Sequence, residues 1–216
     1  MNYDVSIIGS GPVGLCLAKA LSSLDLRICI IDQQNQSSLE TPMDDGREVA
    51  ITHLSKKILI ELGTWDLIDQ ESISLIKEAK VVNGLSPYSL HFNHQETKEE
   101  TLGYLVPNRL IKAAAYRAIS KLNNVDCLTE TIAKEFLITE DGVTLNLSNG
   151  DTITSDLLVA ADGRLSGSRR QMGIPSEVKD FGKTVIVCKM EHEEPHHNVA
   201  FECFHYGRTL AVLPMT

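Results

Sequence analysis

A glycine-rich fingerprint near the N-terminus narrows the possible folds of this chain more than any other segment. Its GxGxxG pattern is formed by Gly9-Ser10-Gly11-Pro12-Val13-Gly14. An apolar run at residues 4–9 leads into it, apolar residues with helical spacing follow at 15–24, and a second apolar run at 27–32 ends in Asp32. Two nearly continuous apolar strands joined by one helix predict a βαβ unit in a parallel sheet that is covered on both faces.

The residue types in this fingerprint are typical of a dinucleotide site. Gly9 permits a tight turn, Gly11 lets a pyrophosphate approach the backbone at a helix N-terminus, and Gly14 allows the helix to pack closely on the strand. Asp32 can accept a hydrogen bond from a ribose hydroxyl, and its charge disfavours a 2′-phosphate, so the pattern suits NAD or FAD. Pro12 and Val13 complete the candidate set. The alternative interpretation is a tight turn without a ligand.

Composition limits the classes of partner. The chain has 216 residues, enough for one large domain or one domain and part of a second. Its 20 Lys and Arg residues against 29 Asp and Glu residues leave a formal charge of −9, which argues against nucleic acid or an anionic membrane as the main partner. No apolar run is long enough to span a bilayer and no basic leader is present, so we expect a cytoplasmic protein. The five scattered cysteines are expected to be reduced thiols, mostly in the core.

Other segments carry local structural signals. Helices are predicted at residues 55–62 and from Asn108 onward, and a hairpin is predicted around Asn149-Gly150 between strands at 143–147 and 152–155. A separate buried strand is expected at 156–161. Further strands are expected at 184–190, 199–204 and 209–213, with a polar loop at 191–198.

Motifs beyond the fingerprint follow one another in the order and spacing of a known family. They are Gly46-Arg47-Glu48-Val49-Ala50-Ile51, Leu62-Gly63-Thr64-Trp65, Leu102-Gly103-Tyr104-Leu105-Val106, Leu158-Val159-Ala160-Ala161-Asp162-Gly163-Arg164-Leu165-Ser166 with Arg169, and Leu210-Ala211-Val212-Leu213-Pro214. With these motifs the chain resembles the single-component FAD-dependent aromatic hydroxylases related to p-hydroxybenzoate hydroxylase. Within that family the likeness is greater to the ubiquinone-biosynthesis hydroxylases, which act on polyprenylated phenols.

The resemblance implies a fold, an activity and a set of partners. The fold would be a Rossmann-like α/β FAD-binding domain with a parallel sheet, formed by residues 1–70 and 103–175, and part of a mainly β substrate domain, formed by 71–102 and 176–216. FAD would be the cofactor and NAD(P)H the co-substrate, and O2 would hydroxylate a phenolic small molecule. Peripheral contact with a membrane or a ubiquinone-biosynthesis complex is compatible with such a substrate, whereas a transmembrane segment and nucleic acid are not expected.

Site residues follow from the same resemblance. Gly9, Gly11 and Gly14 would face the FAD pyrophosphate and Asp32 the adenosine ribose, although the family more often has Glu there. Arg47 would reach the flavin side of the cofactor; otherwise it is a surface arginine. A second set comprises Asp162 and Gly163, which would form the fingerprint that serves both FAD and the nicotinamide, with Ser166 and Arg169 continuing it. Asn108 follows Pro107, where many members have a polar residue, and it either touches the cofactor or caps its helix. No catalytic side-chain nucleophile is expected.

One departure from the family motivates a different function. The downstream Gly-Asp motif that closes the FAD site in the family is missing, so we expect a truncated form. The alternative function is therefore a non-catalytic remnant or interaction module with weak dinucleotide binding. An NAD-dependent dehydrogenase would leave Arg47 and Asp162-Gly163 unexplained, and a flavin-dependent halogenase would be expected to contain more tryptophan than Trp65 alone.

A histidine cluster is the remaining candidate for chemistry. It comprises His192, His196, His197 and His205. Its spacing matches no familiar zinc pattern, so a solvated polar loop is the favoured interpretation and no metal is expected.

Overall fold

The computed structural model describes residues 1–205 and 207–216, which form thirteen strands and five α-helices. The strands are β1 (Asn2–Ile8), β2 (Ile28–Ile31), β3 (Glu48–Ile51), β4 (Ser74–Ile76), β5 (Glu78–Asn83), β6 (Ser89–Asn93), β7 (Gly103–Pro107), β8 (Val125–Leu128), β9 (Ala133–Thr139), β10 (Gly142–Leu147), β11 (Thr152–Ala160), β12 (Val199–His205) and β13 (Arg208–Val212). The helices are α1 (Pro12–Leu21), α2 (Gln36–Glu40), α3 (His53–Glu61), α4 (Asn108–Ile119) and α5 (Gly167–Gln171). Short 3₁₀ turns lie at Ser22–Leu24, Trp65–Leu67, Gln70–Ser72 and His94–Glu96.

The chain divides into two compact units. The first contains Met1–Met43, Leu62–Leu67 and Ile111–Val185; the second contains Asp44–Glu61, Ile68–Leu110 and Ile186–Thr216. These ranges differ from the sequence-based domain ranges at residues 44–61, 68–70 and 103–110, which lie in the second unit, and at 176–185, which lie in the first. Residues 44–61 and 103–110 belong to the second unit because they contain β3 and β7, which form one sheet with β4. The assignment of an FAD domain and a substrate domain stays a prediction.

A six-stranded sheet forms the centre of the first unit, in the order β8-β2-β1-β11-β10-β9. β1 pairs in parallel with both β2 and β11, and β2 pairs in parallel with β8, so the predicted βαβ unit is confirmed. The β9-β10-β11 segment is antiparallel, which makes the whole sheet mixed. The predicted Rossmann-like α/β class with parallel strands is confirmed.

Strand β2 shows how both faces of this sheet are covered. Ile28 and Ile30 belong to one buried cluster, with α1 and the end of α4, whereas Cys29 and Ile31 belong to another, with the β10-β11 hairpin. Alternate side chains of one strand point to opposite faces, so apolar side chains cover the sheet from both sides at this strand.

The β10-β11 hairpin is present as predicted, with Gly150 at a φ of +92° in the turn. The prediction of a separate buried strand at residues 156–161 is wrong, because β11 continues without interruption from Thr152 to Ala160. Only Leu158 is buried in that stretch, whereas the neighbouring Leu157 is 54% exposed. Val159 and Ala161 are half-buried against the cluster that contains Ile28 and Ile30, so the core covers this half of β11 only in part.

The second unit contains two sheets. Strands β3, β7 and β4 form an antiparallel sheet, and the order of the other sheet is β13-β12-β5-β6. β12 and β13 confirm the strands predicted at 199–204 and 209–213. The strand predicted at 184–190 is wrong. In the described part of the chain no strand pairs with it, and Val185 and Ile186 are each 85% exposed.

Three expectations concern features other than strands. Residues 191–198 form the predicted loop. The cysteines are free, but Cys188 is exposed and is not a core thiol as expected. Within residues 1–205 and 207–216, no three His, Cys, Asp or Glu side chains are arranged to hold a metal ion, and no helix is long and apolar enough to cross a membrane.

Candidate functional site

Gly9 and Gly14 are required by the packing of the first unit itself. Gly9 has a φ of +108°, and a Cβ there would lie 2.4 Å from the Ala161 carbonyl oxygen. A Cβ on Gly14 would lie 2.0 Å from the Gly9 carbonyl oxygen. Both contacts are far shorter than van der Waals contact and involve backbone atoms, so any side chain would force the loop, the helix or the neighbouring strand to move.

Gly11 differs from the other two glycines because the fold does not require it. Its φ of −70° is open to any residue, and nothing lies within 4 Å of the position that a Cβ would occupy. Gly11 is the N-cap of the ten-residue helix α1, Pro12 begins that helix, and the Val13 side chain is 74% exposed. The unbonded N–H groups and positive dipole end of this helix therefore border open space, which suits a phosphate group.

The Asp32 carboxylate is bound to the fingerprint loop. Its Oδ2 accepts hydrogen bonds from the backbone N–H and the side-chain hydroxyl of Ser10, each at 2.7 Å, and its Oδ1 accepts one from the Gln34 backbone N–H at 2.8 Å. Ser10 is fully buried. Sequence reasoning missed Ser10, whose signal was a small hydroxyl residue at the second fingerprint position. Asp32 thus holds the loop, and its Oδ1, which accepts only one of these bonds, can still accept a further hydrogen bond.

Asp162 and Gly163 follow β11. They lie next to Gly9, where an added Cβ would clash with the Ala161 backbone. One Asp162 oxygen accepts a hydrogen bond from the Ser166 hydroxyl, and the other accepts one from the Ser168 backbone N–H at 3.0 Å. Burial alone would raise the Asp162 pKa, but these hydrogen bonds stabilise the carboxylate and the pKa is lowered overall. Gly163 has a φ of +88°, which favours glycine.

Ser166 and Arg169, which continue this second motif, shape the start of α5. The Ser166 hydroxyl also accepts a hydrogen bond from the Arg169 backbone N–H at 2.9 Å, as an N-cap does. The Arg169 guanidinium donates to the Ile174 carbonyl at 2.6 Å. Ser166 therefore links the turn that carries Asp162 and Gly163 to the start of α5, whereas the Arg169 side chain stabilises the segment after the helix.

The other candidate residues, Arg47 and Asn108, lie in the second unit and meet at Asp45. The Arg47 Nε and Nη2 atoms donate to Asp45 Oδ2 at 2.8 and 2.5 Å, and the Arg47 backbone N–H donates to Asp45 Oδ1 at 3.0 Å. The Asn108 side-chain amide donates to Asp45 Oδ2 at 3.0 Å, and its backbone N–H donates to the Arg47 carbonyl. Asn108 is the first residue of α4.

The pKa values of these charged groups follow from their hydrogen bonds. The Arg47 guanidinium is the main cause that lowers the pKa of Asp45 to about 2, and Asp45 in turn raises the pKa of Arg47. The adjacent Asp44 has different partners: it accepts a hydrogen bond from the Gly46 backbone N–H at 2.9 Å and one from the Lys189 ammonium at 3.1 Å. These bonds lower the pKa of Asp44.

The ten predicted site residues thus fall into two groups. The first unit contains Gly9, Gly11, Pro12, Val13, Gly14, Asp32, Asp162 and Gly163, and the second contains Arg47 and Asn108. Each group has a member that sequence reasoning missed, namely Ser10 and Asp45. No local spacing rule singles out Asp45, because one of its partners lies 63 residues away along the chain.

The sequence of this chain is similar to those of known proteins. The FAD binding domain family matches residues 2–215. The ubiquinone hydroxylase UbiM of Neisseria meningitidis is 42% identical over 219 residues, covering 100% of this chain and 48% of UbiM. The ubiquinone hydroxylase UbiL of Rhodospirillum rubrum is 35% identical over 212 residues, covering 98% of this chain and 49% of UbiL.

A solved structure shows the same fold. PqsL of P. aeruginosa, in complex with 2-aminobenzoylacetate, matches with a TM-score of 0.71 at 19% identity, covering 84% of this chain and 48% of PqsL. The chain spans about half the length of the curated relatives it matches.

Proposed function

This chain belongs to the FAD binding domain family, and from that membership we propose that it binds FAD as part of an aromatic hydroxylase that uses NAD(P)H and O2. The single observation that carries the proposal is the open space at Gly11. The packing of the protein explains Gly9 and Gly14, but it does not explain a glycine with an ordinary φ and no neighbour. A bound pyrophosphate supplies the missing reason, because it needs the helix N-terminus free of a side chain.

The residues of the first unit fit the cofactor in kind. Gly9, Gly11 and Gly14, with Pro12 and Val13, would border its pyrophosphate. Asp32 retains acceptor capacity for a ribose hydroxyl while Ser10 and Gln34 hold it in place. Asp162 and Gly163 would form the second contact region, with the carboxylate already oriented by Ser166 and Ser168.

In the second unit we propose Arg47 and Asn108 as cofactor residues. A guanidinium is a suitable partner for an anionic or carbonyl-rich group because it offers several N–H donors in one plane.

When bound, FAD supplies the redox chemistry, accepting electrons from a reduced nicotinamide and transferring them to O2. The tasks of the protein are to bind and orient the cofactor, to exclude water and to hold the aromatic ring. Because the cofactor would supply the reactivity, the reaction requires no side-chain nucleophile.

The substrate class rests on the similar proteins. UbiM and UbiL are ubiquinone hydroxylases by name, and we propose a phenolic, polyprenylated ubiquinone precursor as the substrate. The second unit, with its two sheets, would be part of the substrate domain. A cytoplasmic location with peripheral contact to a membrane or a ubiquinone-biosynthesis complex would give access to such an apolar molecule.

FAD binding tests the first part of the proposal. The purified chain is titrated with FAD and the quenching of flavin fluorescence is followed. We expect saturable binding, and we expect Gly11→Val to weaken it at least tenfold because the new side chain occupies the phosphate space. Ala20→Val is the matched control, since it adds bulk at an exposed position of the same helix. A wild-type chain without FAD affinity, or equal affinity in Gly11→Val, would contradict the proposed site.

Hydroxylation is tested in a chimera in which this chain replaces the matching part of UbiM. We expect a phenolic ubiquinone precursor to stimulate NAD(P)H oxidation and to gain one oxygen atom, measured by absorbance and mass spectrometry. A chimera that binds FAD but leaves the phenol unchanged would favour the non-catalytic module.

A further inference from the structure

Asp45 is the common hydrogen-bond acceptor of the two candidate cofactor residues of the second unit. Its carboxylate accepts both a guanidinium pair from Arg47 and the side-chain amide of Asn108. The backbone adds two bonds to the same arrangement, from the Arg47 N–H to Asp45 and from the Asn108 N–H to the Arg47 carbonyl. Asp45 therefore connects the segment before β3 with the first turn of α4.

Arg47 needs such a partner because its side chain is 68% exposed. A long exposed side chain samples many rotamers, and a ligand that it binds must overcome that freedom. The two bonds to Asp45 Oδ2 come from Nε and Nη2, so they fix the plane of the guanidinium and leave Nη1 outside the pair. The side chain is thus oriented before any ligand arrives.

We propose that Asp45 is a positioning residue, which holds Arg47 and Asn108 in the arrangement that the cofactor requires. The inference rests on the proposed function. A carboxylate next to a ligand-binding arginine has two opposite effects on affinity. It orients the guanidinium, but its negative charge also weakens the attraction between the guanidinium and an anionic ligand. Because the pair is exposed, water and salt screen this charge effect, whereas the orienting effect is geometric and persists. Orientation therefore dominates.

Asp44 offers a matched control because it is the neighbouring carboxylate and removing its charge changes the net charge equally. It binds the Gly46 backbone and Lys189 and is not part of the Asp45 arrangement. Any general effect of a lost negative charge on the anionic FAD appears equally in Asp44→Asn and Asp45→Asn. A difference between the two variants reports the positioning of Arg47.

The experiment measures the FAD dissociation constant of the whole chain by fluorescence quenching. We expect Asp45→Asn to weaken binding about three- to tenfold relative to Asp44→Asn, and Asp45→Glu to restore part of the loss. In a background that carries both Arg47→Ala and Asn108→Ala, Asp45→Asn should change the affinity by less than about twofold, because both residues that Asp45 positions are gone. Equal affinities of the Asp44→Asn and Asp45→Asn variants, or tighter binding by Asp45→Asn, would overturn the inference.

A second measurement does not depend on FAD. The NMR signal of the Arg47 Nε–H group, identified by its loss in Arg47→Ala, should be shielded from solvent exchange in the wild-type chain and in Asp44→Asn. It should broaden or vanish in Asp45→Asn. An unchanged signal in Asp45→Asn would show that Asp45 does not hold Arg47, whatever the cofactor does. A chain that binds no FAD while this signal responds as expected would instead overturn the proposed function.

Discussion

The residues of the glycine-rich fingerprint have different structural roles, although they belong to one sequence pattern. Gly9 and Gly14 make room for backbone atoms of the protein, whereas Gly11 leaves room that the protein does not use. Ser10, between them, is fully buried and donates two hydrogen bonds to Asp32. The loop is thus tied to the end of β2 before any ligand binds, which lowers the cost of ordering it around a phosphate.

The different purposes predict different effects of the same substitution. Gly14→Ala should lower the free energy of unfolding by about 2–3 kcal/mol, because its Cβ would overlap the Gly9 carbonyl oxygen and the helix must move. Gly11→Ala should change it by less than about 1 kcal/mol, since only the N-cap preference is affected. Urea unfolding followed by circular dichroism measures both values. Equal destabilisation by the two substitutions would contradict this account.

At the scale of elements, strands were predictable only where a pairing partner lay nearby in the chain. The β10-β11 hairpin has its partner across a four-residue turn, and the Asn-Gly signal marks that turn. Residues 184–190 have strand-forming side chains and no strand beside them in the described part of the chain. A strand exists only when a neighbour satisfies its N–H and C=O groups, so composition alone misled the prediction.

The junction between β11 and α5 makes a prediction about pH. The lowered pKa of Asp162 means that its carboxylate stabilises the fold above the ordinary carboxyl pKa of about 3.9, and that this contribution is lost as the pH falls through the folded-state value. Asp162→Asn should therefore be less stable than the wild-type chain at pH 7, and the difference should shrink below about pH 4. Urea unfolding across this pH range measures it. Asp156→Asn, which removes an exposed carboxylate of β11, is the control for the loss of one negative charge.

At the scale of the whole molecule, the family resemblance inferred from the motifs is confirmed, since the FAD binding domain family covers residues 2–215. The formal charge of −9 is spread over a chain whose candidate cofactor residues include Arg47. Because local geometry and not net charge decides where an anion binds, an acidic chain can still bind an anionic dinucleotide.

Cofactor binding should also stabilise the chain as a whole. FAD at 100 times its dissociation constant is expected to raise the free energy of unfolding by about 2.7 kcal/mol, provided that only the folded state binds it. A thermal unfolding series at increasing FAD concentration measures this effect. Gly11→Val should show little increase at the same concentrations. A midpoint that does not respond to FAD in the wild-type chain would contradict specific binding.

Features that depend on near neighbours in the chain were predictable from the amino-acid sequence. The βαβ unit, the Asn-Gly hairpin and the two motifs around Gly11 and Asp162 follow from local spacing, glycine conformation and the period of apolar residues. The same reasoning indicated the family, because its motifs are short segments whose order survives in the chain.

Tertiary structure alone decided which distant groups meet. Gly9 must lack a side chain because of Ala161, which is far away in the sequence, and Asp45 joins Arg47 to Asn108 across 63 residues. The order of the strands in the sheets and the exposure of residues 184–190 also depend on tertiary structure. These features depend on packing between segments that come together only in the folded chain. There, side-chain volume, hydrogen bonding and charge act at the same time, so no one of them can be read from local sequence.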